Sequence, residues 1–398
     1  MKLNDLFLIV EISMHKSNSH MISVVMPCLN ESETLGTCIQ KAKSSLQQLS
    51  LENEIIVADN GSTDDSVEIA KSLGAHVVVE QEKGYGNAYR AGINASKGDI
   101  VVIGDSDDSY DFNDIPEFVR PLLNGADFVM GTRLRGQIEK GAMPWLHRYV
   151  GNPILTGILN LMFKSGISDA HCGMRAFTKK AYKKMNLQTT GMEFASEMVI
   201  KASQLGLKTV EIPITLHKDG RSRPPHLRSF RDGWRHLRFM LLHSPTHLYL
   251  WPGTIMFVIG LLLLIALLPG PFHVFGRLID LHVMVLGSLL AVLGFQIINT
   301  GVFARIYAVT HGFRPEDKNI KRAYQLFNLE KGLIAGFGIF VIGLIIDVYI
   351  LVQWIMSGFG PMNKVRLALF ASTLIIIGTQ VIFSSFFLSM LGIQVRRQ

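Results

Sequence analysis

Cysteine is scarce. The chain has three in 398 residues, Cys28, Cys38 and Cys172. Their spacings match neither a metal-ligand pattern nor a disulfide framework, which excludes a zinc ribbon or a stapled scaffold and fits a reducing cytoplasm. Repeats and low-complexity tracts are absent, which excludes solenoids. Charged residues are thin at 18%, and acid is the scarcer sign, with 32 Asp and Glu against 39 Lys and Arg and a net charge of +7. Residues 1–20 offer one apolar run, Leu6 to Val10, too short for a signal peptide, and they read as a disordered extension. The basic balance raises nucleic acid as a partner. The basic residues, however, cluster beside long apolar stretches, so the lipid bilayer is the simpler partner and no nucleic acid is expected.

Those stretches are the chain's main excess. Hydrophobic residues make up 48% of it, with a mean hydropathy of +0.28. The excess lies in four runs of membrane-spanning length, roughly 251–269, 282–304, 334–356 and 367–390. The connection between the second and third carries Arg305, Arg314, Lys318, Lys321, Arg322 and Lys331, whereas that between the first and second carries only Arg277. The positive-inside rule makes the richer loop cytoplasmic. Four spans then put both termini in the cytoplasm of a multi-pass plasma or inner-membrane protein. Asp347, within the third span, reads as a functional carboxylate or as a structural pair inside the bundle.

Before the spans, short β-type runs (Ile22–Met26, Glu54–Ala58, Ala75–Val79, Ile100–Gly104, Asp127–Gly131) alternate with helical patterns near 31–49, 64–73, 84–96 and 112–124. Such alternation predicts an α/β domain with a mostly parallel sheet and helices on both faces. Ligands of such sheets bind beyond the carboxyl ends of the strands, and the unusual residues of this chain fall there. The fourth strand runs into Asp105-Ser106-Asp107. Strand residues i and i+2 face the same way, so both carboxylates can serve one hard cation. Mg²⁺ or Mn²⁺ held this way binds substrate phosphates, which points to chemistry on a nucleotide diphosphate. A calcium loop starting at Asp105 is excluded, because its sixth and twelfth positions hold Tyr110 and Pro116 instead of Gly and Glu. A lone Asp-x-Asp also reads as a solvated turn, and Asp64 reads as a helix cap.

Further strand ends carry Val25-Met26-Pro27-Cys28-Leu29-Asn30-Glu31, Asp59-Asn60-Gly61-Ser62-Thr63-Asp64, Lys83-Gly84-Tyr85-Gly86-Asn87-Ala88 and Gly131-Thr132-Arg133. Over residues 20–240 these motifs jointly resemble the family 2 glycosyltransferases of GT-A fold, and among them the polyprenyl- or dolichyl-phosphate sugar synthases. The resemblance implies a nucleotide-diphosphate sugar as donor and a polyprenyl phosphate as acceptor. It gives Asp59 the nucleotide base, with Pro27 and Glu31 shaping that pocket. Asp105 falls near the ribose or the metal, and Asp107 on the metal. Asn30, Gly61, Lys83, Gly84, Asn87 and Ser106 belong to the same motifs and complete the nucleotide-sugar set. Members often place Gln two residues after the second Asp. Ser109 stands there, a weaker ligand, leaving Asp108 and Asp111 as candidates to supplement the set.

The segment 169–175, Asp-Ala-His-Cys-Gly-Met-Arg, looks like the acceptor side. Segment 191–197 opens a helix whose Glu197 is expected in the sugar pocket or on an exposed face. His217 to Arg223 corresponds to a basic loop over the diphosphate, with Arg221 and Arg223 as phosphate forks; a juxtamembrane basic patch is the alternative. Between Arg228 and Leu242, Phe230, Trp234, Leu237 and Leu241 form an apolar stripe beside Arg228, Arg231, Arg235 and Arg238, the pattern of an interfacial amphipathic helix. Arg133, Arg228 and Arg231 are the candidates for the lipid phosphate. The expected organisation is an extension over 1–20, a catalytic domain over 21–220, a basic juxtamembrane segment over 221–247 and a four-helix membrane domain over 248–398. Asp105, Asp107 and Arg133 are the expected catalytic residues.

Three other readings compete. A processive polysaccharide synthase would carry a Gln-x-x-Arg-Trp motif, and no Arg-Trp dipeptide exists here. A transferase to another lipid or a cell-envelope glycan shares every motif above. A flippase that only binds nucleotide sugars would need a polar path through its spans. Family members with extra spans often form homo-oligomers.

Overall fold

The computed structural model describes residues 20–222, 229–310 and 329–391. Arg223 and Arg228, the extension before His20 and the basic residues Arg314 to Arg322 lie outside the described residues. The chain divides into two compact units, 1–240 and 241–398.

The first unit is built on a seven-stranded sheet of order β3-β2-β1-β4-β6-β5-β7. Its strands are β1 (Met21–Cys28), β2 (Glu52–Asp59), β3 (His76–Val79), β4 (Ile100–Ile103), β5 (Phe128–Ile138), β6 (Arg175–Thr178) and β7 (Thr209–Leu216). All pairs are parallel except those of β6, which lies antiparallel between β4 and β5. The central strands read as unbroken apolar runs because both faces are covered. Ile22, Val24 and Met26 enter the core on one face. Val25, pointing the other way, joins the core on the opposite face. Helices α1 (Leu35–Leu49), α2 (Ser66–Ser72), α3 (Tyr85–Ala95) and α4 (Ile115–Leu123) connect the first five strands. After β5 come α5 (Asn152–Phe163), α6 (Lys179–Met185), α7 (Phe194–Gln204) and α8 (Ser229–Leu242). The chain leaves β1 toward β2 on one side and reaches β4 on the other. The β1/β4 boundary is therefore the switch point of the sheet.

Helix α8 corrects one expectation. It is not a segment apart from the catalytic domain, because Phe239 and Met240 are buried in the α/β core. Asp232 and His236 are buried on the same helix. Of the expected apolar stripe, Phe230 and Trp234 face outward at 85% and 58% exposure, and Arg231 and Arg238 are exposed beside them.

Among the described residues of the second unit, four helices are long and apolar enough to cross a membrane: Thr246–Leu267, Leu281–Val309, Leu329–Met356 and Val365–Leu391. The helices themselves are α9 (Trp251–Leu267), α10 (Leu281–Thr310), α11 (Leu329–Met356) and α12 (Val365–Leu391). Glycines at heptad spacing let neighbouring backbones touch. A side chain on Gly260 would lie 2.5 Å from the carbonyl oxygen of Gly287, and one on Gly294 would lie 2.7 Å from that of Gly253. Gly336 and Gly343 of α11 meet Gly378 and Ala371 of α12 in the same way. A polar ladder joins the parallel helices α10 and α12. Asp280 pairs with Arg366, Ser288 Oγ lies 2.7 Å from Thr373 Oγ1, and Gln380 donates to Gln296 at 3.2 Å. Asp347 is half-buried and makes no ion pair among the described residues.

Candidate active site

The ends of β1, β2 and β4 form the floor of the site. Asp59, buried at the end of β2, accepts the backbone N–H groups of Gly61 and Ser62 at 3.2 Å, which fixes the turn after the strand. Asn30 adopts φ 57°, a conformation that Asn tolerates better than most residues. Its Oδ1 accepts Thr63 N–H at 2.7 Å and ties the first strand end to the second. Asn60 is buried and clamps the third: its Nδ2 donates to the carbonyls of Glu80 and Glu82, and its Oδ1 accepts Gly84 N–H at 2.7 Å. Gly84 has φ 147° and rests on the Thr190 carbonyl, leaving no room for a side chain. Asn87 donates to the carbonyls of Glu82 and Lys83, and Lys83 itself is exposed.

Asp105 and Asp107 part company at the fourth strand end. Asp105 Oδ1 accepts the hydroxyls of Tyr85 and Tyr89 at 2.9 and 3.1 Å. Burial, and then the neighbouring Asp107 carboxylate, push its pKa up to about 6 against the pull of those two hydroxyls and of Arg221. Asp107 Oδ1 accepts the backbone N–H and the hydroxyl of Ser109, at 3.1 and 2.6 Å. Ser109 therefore orients Asp107. Asp107 Oδ2 meets the Arg221 guanidinium at 2.8 Å, and that guanidinium also reaches Glu31 at 3.2 Å and Asp219 at 3.1 Å. The loop holding Arg221 is pinned to the same turn, with Gly220 N–H donating to the Asp107 carbonyl and His217 N–H to that of Ser109. Ser106 donates to the Pro27 carbonyl at 2.6 Å, closing β4 onto β1.

The two acids proposed to supplement the ligand set are otherwise engaged. Asp108 pairs with Lys41 at 2.8 Å, and Asp111 caps the turn at Asn113. Among the described residues no three His, Cys, Asp or Glu side chains converge as a metal cage. The donor set still fits a divalent cation that takes most of its ligands from phosphates and water. The Asp107 carboxylate lies near enough to help raise the Asp105 pKa, and a guanidinium sits against Asp107.

Beyond β4, the antiparallel entry of β6 sets segment 169–175 against Asp105. A side chain on Gly173 would strike Asp105 Oδ2 at 2.5 Å, and Gly173 N–H donates to the Tyr110 hydroxyl at 2.8 Å. The segment is held at both ends. Asp169, fully buried, takes a two-pronged bond from Arg133 at 2.7 and 2.8 Å and the Arg133 N–H at 3.0 Å. Burial opposes the charge on Asp169, but Arg133 holds its pKa below the usual carboxylate range. Arg175, 1% exposed, donates to three backbone carbonyls, those of Cys172, Ala195 and Ala170, at 2.6–2.9 Å. His171 packs edge-on against His236, ring centroids 4.7 Å apart, and His236 shares a hydrogen bond with Ser196 at 2.8 Å.

The expected residues of the nucleotide side, Pro27, Asn30, Glu31, Asp59, Gly61, Gly84, Asn87 and Ser106, thus gather with Asp105, Asp107 and Arg221 around the β1/β4 switch. Two others have different surroundings. Arg133 spends its Nε and one Nη on Asp169 and is nearly buried, so it positions segment 169–175. Glu197, 2% exposed, accepts Gln188 and Thr189 N–H groups and the Thr189 hydroxyl and pairs with Lys201, so it fixes the loop on which Gly84 and Gly86 rest. Arg231 is exposed on α8. Sequence reasoning missed Asn60, Tyr85, Tyr89 and Tyr110 as parts of the site, and gave Arg175 no individual role. Tyr85 and Asn60 stood inside quoted motifs, and the periodicity of α3 puts Tyr85 and Tyr89 on one face, which was the available signal.

Residues 23–185 match the glycosyltransferase family 2 model, and residues 302–392 match that of the family 2 C-terminal transmembrane region. The low-salt glycan biosynthesis hexosyltransferase Agl6 of Haloferax volcanii is 39% identical over 373 residues, covering 93% of this chain and 89% of its own. A dolichyl-phosphate hexose transferase of the same organism is 30% identical over 196 residues, 48% of this chain and 81% of its own. Among solved structures, glucosyl-3-phosphoglycerate synthase from Mycobacterium tuberculosis, in complex with Mn²⁺, UDP and glucosyl-3-phosphoglycerate, aligns with a TM-score of 0.44 and 26% identity over 56% of this chain and 78% of its own.

Proposed function

Since the chain belongs to glycosyltransferase family 2, we propose that it moves a hexose from a nucleotide-diphosphate sugar to a polyprenyl phosphate at the membrane. The observation that carries the donor half is the Arg221 guanidinium at the β1/β4 switch, which bridges Asp107, Glu31 and Asp219. The acceptor half is supported by the relative named a dolichyl-phosphate hexose transferase and by the apolar helices that follow the catalytic unit.

In this reading Asp59 and the turn it fixes hold the nucleoside, and Asp105 and Asp107 face the diphosphate. A divalent cation bound by these carboxylates would neutralise the leaving diphosphate. Arg221 has a fork suited to phosphate oxygens and moves from carboxylates to diphosphate when the donor arrives. The acceptor brings its own nucleophile. The second pKa of a phosphate monoester is near 6, so a phosphate oxygen is already anionic at pH 7 and no side chain needs to abstract its proton. That oxygen bonds to the anomeric carbon as the bond from that carbon to the diphosphate breaks, so a single displacement inverts the anomer. The chain's contribution is alignment and charge stabilisation. Arg133 and Arg175 supply the first by fixing segment 169–175 beside Asp105.

The test is to incubate the full-length protein with Mg²⁺ or Mn²⁺, a polyprenyl phosphate and labelled UDP- and GDP-sugars, and then to extract with organic solvent. Acid-labile, metal-dependent label in the organic phase is the expected result and names the donor. Donor binding without labelled lipid phosphate overturns the acceptor assignment in favour of another lipid or glycan. Asp107→Ala is expected to lower transfer by at least a hundredfold with the unfolding transition unchanged. Full activity in that variant excludes the cation seat.

A further inference from the structure

Three polar atoms beside the site have no use in the arrangement described so far. Both ring nitrogens of His171 and Oε2 of Glu193 are shielded from solvent and make no hydrogen bond with any described residue. Buried polar groups are nearly always paired, so three unpaired atoms in one region ask for a partner. Both residues are themselves half-buried. Rotation about the side-chain bonds of either one therefore turns its polar atoms outward.

Their position follows from contacts that lead back to Asp105. Gly173, two residues after His171, abuts Asp105 Oδ2. Glu193 precedes Phe194, whose ring stacks on Tyr89 with centroids 5.7 Å apart, and the Tyr89 hydroxyl donates to Asp105. Arg175 clamps the two segments together. It donates to the carbonyls of Ala170 and Cys172, on either side of His171, and to that of Ala195, two residues beyond Glu193. On its other flank, the loop before Glu193 supports the donor motif, with the Thr190 carbonyl accepting Gly86 N–H at 2.9 Å. His171 and Glu193 thus border the space between Asp105 and segment 169–175. A sugar attached to a diphosphate at Asp105 and Asp107 extends into that space.

Charge narrows what the pair can hold. Burial, and then the facing His236 ring, hold the His171 pKa well below its usual 6.5. The imidazole is uncharged at pH 7, with one nitrogen donating and the other accepting. His236, edge-on to it, shares its bond with Ser196, and Glu193 is the charge that acts most on His236. The Glu193 carboxylate lies back against Gly191, where a side chain would strike Oε2 at 2.6 Å. One carboxylate and a neutral imidazole supply acceptors and a donor but no cation. That set repels a phosphate and suits hydroxyl groups, each of which both donates and accepts.

We infer that His171 and Glu193 read the hydroxyls of the donor sugar and restrict the donor to uncharged hexoses, a hexuronate being repelled by Glu193. The inference rests on the donor half of the proposed function. It moves the sugar contact away from Glu197, whose carboxylate is spent on Gln188, Thr189 and Lys201.

Binding to the full-length protein tests it. With Mg²⁺ present, affinities are measured for UDP-glucose and UDP-glucuronate, for GDP-mannose and GDP-mannuronate, and for free UDP and GDP. The preferred neutral donor is expected to bind at least about tenfold more tightly than its uronate, because a like charge in the pocket is a repulsive element. Glu193→Gln is expected to lower that ratio at least about fivefold and to leave the affinity for free UDP or GDP unchanged. His171→Ala is expected to weaken the nucleotide sugar without weakening the nucleotide. A uronate bound as tightly as its neutral counterpart overturns the inference, as does an unchanged ratio in Glu193→Gln. Equal losses for nucleotide and nucleotide sugar also overturn it, since Glu193 then only shapes the fold. The proposed function fails separately. A neutral preference without labelled lipid phosphate removes the acceptor and leaves this inference standing, whereas no nucleotide sugar bound at all removes both.

Discussion

Single side chains in this protein do their work in groups that exclude water. The Arg133–Asp169 pair is the clearest case. Both charges are nearly buried, and each satisfies the other with two parallel bonds plus a backbone N–H. Asp169→Asn leaves the Arg133 charge without its partner, and loss of one member of a buried pair costs about 3–5 kcal/mol. The expected outcome is an unfolding free energy lower by that amount, and an unchanged value would mean that water reaches the pair. His236 gives the pH dependence. Burial lowers its pKa to about 4 from 6.5, against the opposing pull of Glu193 and Asp232 and with the help of Arg175 and Arg235. The folded protein thus binds fewer protons than the unfolded chain. Its stability is complete above pH 6.5 and declines as pH falls toward 4, by about 3 kcal/mol over the window. His236→Asn keeps a polar group for Ser196 and removes this titration. Unfolding midpoints measured from pH 7 to pH 4 are expected to fall less steeply in the variant, and equal slopes would assign the acid loss to other groups.

At the scale of elements, the central strands β1 and β4 were legible because parallel strands covered on both faces must be continuously apolar. Their ends were legible because a turn that meets a ligand is built from Asp, Asn and Gly. Strands β6 and β7 escaped notice. The four residues of β6, Arg-Ala-Phe-Thr, lead directly into the lysine-rich α6. The strand β7 carries Pro213, acceptable only because β7 is an edge. With β6 unseen, nothing in the sequence could set Gly173 against Asp105. Likewise, Arg175 stands in the segment 169–175 singled out by resemblance, but its buried role is invisible until the carbonyls that solvate it are brought together from residues 170, 172 and 195. The buried side of α8 was hidden for a related reason: Asp232 and His236, polar residues, form part of it. In the membrane unit, spans were legible from length alone, but their packing rests on glycine positions. Gly294→Leu is expected to push α9 and α10 apart and destabilise the unit by about 1–3 kcal/mol or more, measured by denaturation in micelles. Gly338→Leu, where a side chain meets nothing within 4 Å, serves as the control and is expected to be near neutral. Equal effects would remove the close-packing account.

The whole molecule is two units with separate cores, and its membrane unit is two hairpins made of sequence neighbours: α9 with α10, and α11 with α12. The glycine contacts described above lie within each hairpin, whereas the polar ladder joins one hairpin to the other through α10 and α12. Contacts between chain neighbours close quickly and at small entropic cost. Assembly therefore has an order. Each hairpin is expected to zip as its second helix enters the bilayer, with the ladder forming last. The covalent link between hairpins is then dispensable for recognition. Fragments 1–318 and 319–398, expressed together, are expected to co-purify as one complex, and replacing Ser288 and Gln296 by Leu in the longer fragment to weaken it. Failure of the unmodified fragments to associate would mean that the hairpins depend on their connection. The ladder of Asp280, Ser288 and Gln296 is thus less a brace for the finished enzyme than an address by which its two halves find each other in register.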